Sequence, residues 1–248
     1  MARKPSILDI HQLEHRTVSL RNRLRFHLGP KGEPDGRRYF VIGHPRTGTQ
    51  TLHRVFKAND IPSFHSSRSW RLADYTAFSD RGNYQPVRQL DHYYRDALFV
   101  LNTRPAYTYI RSRMNHMKKN RGPRHLPGAS FTVRNIRNEL LLRNRYFMEM
   151  IRYFDQRDDF SIVNIEKPGA LAFFCERLGL EYPGDFISNH SGRWVLTEEE
   201  LGRIDRAMEE LGIEDDAMNP FIFPHLLDEP DRAFLTRFME RTDPRIHL

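Results

Sequence analysis

Cysteine is nearly missing. The 248-residue chain has one, Cys175, which excludes an internal disulfide and any cysteine-based metal cluster. Its setting, ALAFFCERLGL, is an apolar helical pattern and reads as a buried structural thiol rather than a nucleophile. Long apolar runs are missing too: no stretch approaches the ~20 consecutive apolar residues that cross a bilayer. The first residues, MARKPSILDIHQLEHRTVSL, have no apolar core of the signal-peptide kind. Both absences lead to the expectation of a soluble, cytoplasmic protein with no stable membrane insertion. Metal-ligand spacing is sparse. Among 12 histidines there is no H-E-x-x-H and no Cys/His set. His11 and His15 stand four apart, as a zinc pair could, but read as a solvated polar face. No metal is expected, and no internal repeat or low-complexity tract is present.

Charge is plentiful. Charged residues make up 29% of the chain against 39% hydrophobic, and Lys+Arg 39 against Asp+Glu 32 leaves a formal net charge of +7. Such a field attracts anions, whether nucleic acid, anionic lipid or a small phosphorylated ligand, yet serves solubility equally well. Charge alone does not choose between them. The basic stretch MKKNRGPRH, 117–125, can be a loop near a ligand entrance or simply solvated.

The pattern along the chain alternates strands and helices. RYFVIG (38–43), ALFVLNT (97–103) and DFSIVNI (159–165) read as strands buried on both faces. TQTLHRVFKAND, closed by Asn59 and Asp60, reads as a helix, as do 130–154, KPGALAFFCERLGL up to Gly179, 197–211, 229–240 and 6–24. Pro105 falls at a first helical position after the second strand. Strands separated by helices predict an α/β fold: a P-loop-like three-layer sandwich, its central sheet mainly parallel, with helices on both faces. The chain divides into a polar N-terminal segment, 1–36, and one domain over 37–248 that includes the helical C-terminal region.

RRYFVIGHPRTGTQTLHRVF, residues 37–56, carries the chemistry. A strand, a glycine turn and a helix start form an anion cradle, because the first turn of a helix leaves N–H groups unpaired and carries partial positive charge. Gly48 lets the backbone approach a phosphate; Thr47, Thr49 and Thr51 offer hydroxyls; Arg46 adds a permanent forked charge. The bland alternative is an ordinary strand-to-helix turn, with the His44 ring pointing away from any ligand. Gly43 and Gly48 have the separation of the nucleoside-triphosphate loop G-x-x-x-x-G-K-[ST], but Thr49 and Gln50 stand where its Lys and Ser/Thr would be. A phosphokinase is thereby disfavoured.

GHPRTGTQTL resembles the 5′-phosphosulfate loop of sulfotransferases, P-[KR]-[ST]-G-T-[TS]-x-[LW]. The arginine variant is similar to tyrosylprotein sulfotransferases and many bacterial members. The resemblance implies 3′-phosphoadenosine-5′-phosphosulfate as co-substrate, with Arg46, Thr47, Gly48, Thr49, Gln50 and Thr51 lining its 5′-phosphosulfate. Gln50 replaces the commoner threonine. ALFVLNTRPAYTYIRSRMNH resembles the family's 3′-phosphate segment, whose arginine and serine stand eight apart, as Arg104 and Ser112 do. Here proline follows arginine directly, without the family's intervening residue. Arginine at a strand's C-terminal end faces the crevice where open α/β sheets bind ligands, and Ser112 returns to the helix face of Pro105. Weaker likenesses in FSDRGNYQPVRQLDHYYRD and in DFSIVNIEKPGALAFFCERLGLEYPGDFISNHS extend the resemblance over roughly 38–194. The family's late basic loop, which closes over the 3′-phosphate, would be HSGRW, with Arg193 in contact.

The implied reaction is in-line, metal-independent transfer of a sulfuryl group to a hydroxyl acceptor, either a small molecule or a glycan. It needs aligned oxygens and stabilised developing charge. Arg46 is expected where that charge grows. A general base with a pKa near working pH is wanted, and His65 in IPSFHSSRSWR is the first choice, with Asp74, Asp80 and His92 as rivals. Arg68 and Arg71 can contact an acidic acceptor or stand solvated, and Trp70 and Trp194 can stack on adenine or a sugar or simply pack. The competing class is a non-catalytic polyanion or nucleic-acid binder using the positive face. Acceptor identity and oligomeric state are not readable from the sequence.

Overall fold

Five short runs become strands: β1 (Arg38–Val41), β2 (Ser63–His65), β3 (Ala77–Ser79), β4 (Ala97–Thr103) and β5 (Phe160–Asn164). In the computed structural model they form one sheet in the order β2–β3–β1–β4–β5, every pair parallel. Parallel strands require crossovers, and helices supply them. α1 (Thr49–Ala58) joins β1 to β2. α2 (Val87–Tyr93) joins β3 to β4. α3 (Ala106–Arg121) and α4 (Val133–Tyr153) join β4 to β5. α5 (Ala170–Leu178), α6 (Glu198–Glu210) and α7 (Glu229–Arg241) follow. The structure describes residues 35–65, 74–79, 86–121, 131–184, 195–214 and 222–241, with scattered positions before 35. Most of the helix expected over 6–24, together with Arg68, Trp70, Arg71, Asp80, Arg193 and Trp194, lies outside them.

Side chains alternate across the strands, and each face has its own cover. Phe40, Ile42, Phe99, Leu101, Phe160 and Ile162 pack against α2, α4 and α7. Tyr39, Val41, Val100 and Val163 pack against α1 and α5. The result is the expected three-layer α/β sandwich. A third cluster joins α3, α4 and α6 through Tyr109, Ile110, Leu140, Ile204 and Met208. Among the described residues no helix is long and apolar enough to cross a membrane.

β4 has the bounds read from its apolar run, and α5 stops at Gly179, whose φ of 64° is the left-handed conformation glycine adopts freely. The first strand is shorter than its run, and two elements went unread. β1 ends at Val41, although the Ile42 N–H still donates to the Val100 carbonyl at 2.8 Å. β3 and α2 stand in a stretch read without elements, because three and seven residues are too few to show a period.

The topology selects a place for ligand. The chain leaves β1 toward β2 on one side of the sheet and leaves β4 toward β5 on the other. The crevice lies where those paths diverge, beyond the C-terminal ends of β1 and β4.

Candidate functional site

The loop 43–48 sits in that crevice and is held from beneath by β4. Asn102, wholly buried in the strand, clamps both ends of the loop. Its Oδ1 accepts from the Gly43 N–H at 3.0 Å, and its Nδ2 donates to the carbonyl and to Oγ1 of Thr47, each at 2.8 Å. The Tyr146 hydroxyl donates to the Ile42 carbonyl at 2.7 Å, one residue before the turn. A Cβ at Gly43 would overlap Asn102, and one at Gly48 would overlap Ile165, so only glycine lets the loop lie this close to its neighbours. Gly48 has φ 98° and Arg46 φ 78°. The left-handed backbone at arginine costs on the order of 1 kcal/mol, and it goes with a specific contact: the Arg46 carbonyl accepts from Arg104 Nη1 at 3.1 Å.

Arg46, Arg104 and Ser112 therefore meet. Arg46 Nε donates to Ser112 Oγ at 3.3 Å, while Arg104 braces the Arg46 backbone. The second nitrogen of Arg104, Nη2, is ion-paired with Glu166, and the Thr108 hydroxyl donates to the other Glu166 oxygen at 2.7 Å. Behind Arg104, the buried Arg143 of α4 donates to the Arg104 carbonyl at 2.8 Å and to Thr103 Oγ1 at 3.0 Å, with its guanidinium over the rings of Tyr109 and Phe147. Burial lowers the Arg143 pKa to about 10, so it stays charged at neutral pH.

The threonines divide. Thr47 is wholly buried, and its hydroxyl donates to the His44 carbonyl at 2.6 Å. That hydrogen is turned onto the loop itself. Thr49 and Thr51 open α1; Gln50, between them, is half-buried. Thr49 Oγ1 lies 3.3 Å from Nε2 of His65, which ends β2 on the loop's side of the sheet. Burial lowers the His65 pKa below the usual histidine value, and the Arg46 charge adds to this, so the imidazole is neutral at pH 7. His53, one turn after Thr49, has its ring 5.4 Å from that of His65, and its Nδ1 lies 2.8 Å from Ser63 Oγ. Its pKa falls to about 4, chiefly through burial and then through His65.

Two of the three rivals to His65, Asp74 and His92, lie elsewhere; the third, Asp80, is outside the described residues. Asp74 precedes β3 and His92 lies in the last turn of α2 before β4, so both are at the edge of the sheet where strands begin, opposite the loop. Neighbouring Asp91 confirms this by pairing with Arg157 in the turn before β5. The His44 ring packs in the core against Tyr146 and Phe147. Tyr109 donates to Glu139 at 2.8 Å and so accepts from His44 Nδ1 at 3.1 Å; Arg113 completes the chain by donating to Glu139 at 3.1 Å.

Asn102, Glu166 and His116 are site residues the sequence reading did not pick out. An amide ending an otherwise apolar strand signals Asn102, and an acid directly after a buried strand signals Glu166. His116 stands one helical turn beyond Ser112, its pKa lowered to about 4 first by burial and then by Arg46. No group of three or more metal-ligating side chains occurs among the described residues. No family model matches the chain, and no curated protein matches it.

Proposed function

We propose that the chain is a cytoplasmic sulfotransferase that moves a sulfuryl group from 3′-phosphoadenosine-5′-phosphosulfate to a hydroxyl of a small molecule or glycan, in line and without a metal. One observation carries the reading: Arg46 of the glycine loop and the Arg104–Ser112 pair, far apart in sequence, close on one crevice. Two cations and a hydroxyl beside a helix start suit a ligand with two anionic groups. Thr49, standing where a nucleoside-triphosphate loop has its lysine, turns to His65 instead. In this reading Arg46 and the N–H groups at the start of α1 stabilise charge on the departing 5′-phosphate. Neutral His65 takes the proton of the acceptor hydroxyl. Asn102 keeps the loop in register, and Thr47 serves it structurally.

Titration calorimetry with adenosine 3′,5′-bisphosphate tests the reading. Saturable binding is expected, and Arg46→Ala should weaken it by at least about tenfold, the loss of one charge-assisted contact. Absence of heat at millimolar ligand would refute the donor site. Salt-steep RNA binding in its place would favour a polyanion-binding protein.

A further inference from the structure

The Arg104 end of the crevice already contains an anion from the protein itself. Glu166 is the second residue after β5, and its backbone N–H is turned back onto Asn164 Oδ1 at 3.2 Å. One carboxylate oxygen takes Arg104 Nη2, and the other takes the Thr108 hydroxyl at 2.7 Å. These two donors, a guanidinium N–H and a hydroxyl one turn along α3, are of the kind that hold phosphate oxygens. Ser112 follows Thr108 by four residues on the same helix, so all three donors share one side of the crevice. Glu166 is about a quarter exposed and Arg104 a fifth, so solvent can reach the pair and a ligand can compete for it.

We propose that Glu166 is a specificity-determining residue: it occupies the anion seat of Arg104 and must yield it to the ligand, so that only a strongly charged phosphate monoester takes the seat. The inference rests on the nucleotide reading above and says which part of that ligand meets resistance. A monoanionic group replaces one unit of charge with another and gains little. A phosphate monoester carries about −1.5 to −2 at pH 7 and adds acceptor oxygens, so it outcompetes the carboxylate. The carboxylate also repels any phosphate that binds Ser112 beside it. Glu166 thus discriminates against nucleotides that place a singly charged group at this end; a nucleotide with no group there is unaffected, and the loop, clamped by Asn102, is untouched.

The test is calorimetry on the full chain with two probes, adenosine 3′,5′-bisphosphate and adenosine 5′-phosphate, in wild type, Glu166→Gln and Glu166→Ala. Removing the carboxylate should tighten the bisphosphate by about tenfold, the scale of one relieved like-charge contact. Adenosine 5′-phosphate, with nothing to put on Arg104, should bind all three proteins alike. Circular dichroism checks that each variant is folded, and the alanine variant carries the test should glutamine disturb the loop. A bisphosphate affinity unchanged or weakened in folded variants overturns the inference while leaving the donor site standing, since Glu166 would then merely position Arg104. Equal tightening of both probes also overturns it, because the effect would be diffuse charge rather than a contested seat. Wild type and variants binding neither probe would overturn the nucleotide reading and this inference together.

Discussion

Asn102 shows how much one side chain decides. It makes three hydrogen bonds across the loop from inside an apolar strand, where a group left unpaired is costly. Asn102→Leu keeps the branched heavy-atom skeleton and leaves the Gly43 N–H and the Thr47 carbonyl without their partner. Urea unfolding should show a loss of about 1–3 kcal/mol, and bisphosphate affinity should fall with it. Wild-type stability and affinity in that variant would mean the loop holds its shape unaided. His65 makes a second residue-scale prediction. Because burial and Arg46 lower its pKa, its ring signal in an NMR titration should show a midpoint below 6.5, the usual value. His65→Gln identifies the signal and, if His65 is the base, lowers turnover with little effect on bisphosphate affinity.

At the scale of elements, two helices begin at side-chain caps. Thr132 accepts from the Asn135 N–H to start α4, and Thr197 and Glu200 form a reciprocal capping box on α6. α6 then lays Ile204, Ala207 and Met208 against α3 and α4, the helices that carry Ser112 and Arg143. Thr197→Ala should cost about 1 kcal/mol in chemical denaturation and leave bisphosphate binding unchanged, since Thr197 caps its own helix and is not among the proposed ligand contacts. A change in affinity would instead tie α6 to the site. The glycine stop of α5 and the apolar run of β4 were plain in the amino-acid order. β3 and α2 were not, being too short for a period and specified by neighbours they meet only in the fold.

For the whole molecule, two half-buried histidines contribute to the response to acid. His53 and His116 have pKa values near 4 in the folded chain against an ordinary 6.5. The unfolded chain therefore binds more protons between those limits, and stability falls as pH drops from about 6.5 toward 4. Well above 6.5 both are neutral in either state and contribute no slope. Urea unfolding at stepped pH should show a shallower loss in the His53→Gln, His116→Gln double variant than in wild type. An identical pH dependence would exclude these two residues as its source.

The amino-acid order by itself determined the alternation of strand and helix, the three-layer class and the glycine loop, because periodicity and turn chemistry are local. Only the tertiary structure decided what those residues touch. Gly43 faces Asn102, Arg104 faces Glu166, Thr49 faces His65, and Asp74 and His92 fall at the far edge of the sheet. Each of those outcomes depends on which strand lies beside which. Strand order is set by packing both faces of the sheet at once, and no short stretch of sequence carries that information.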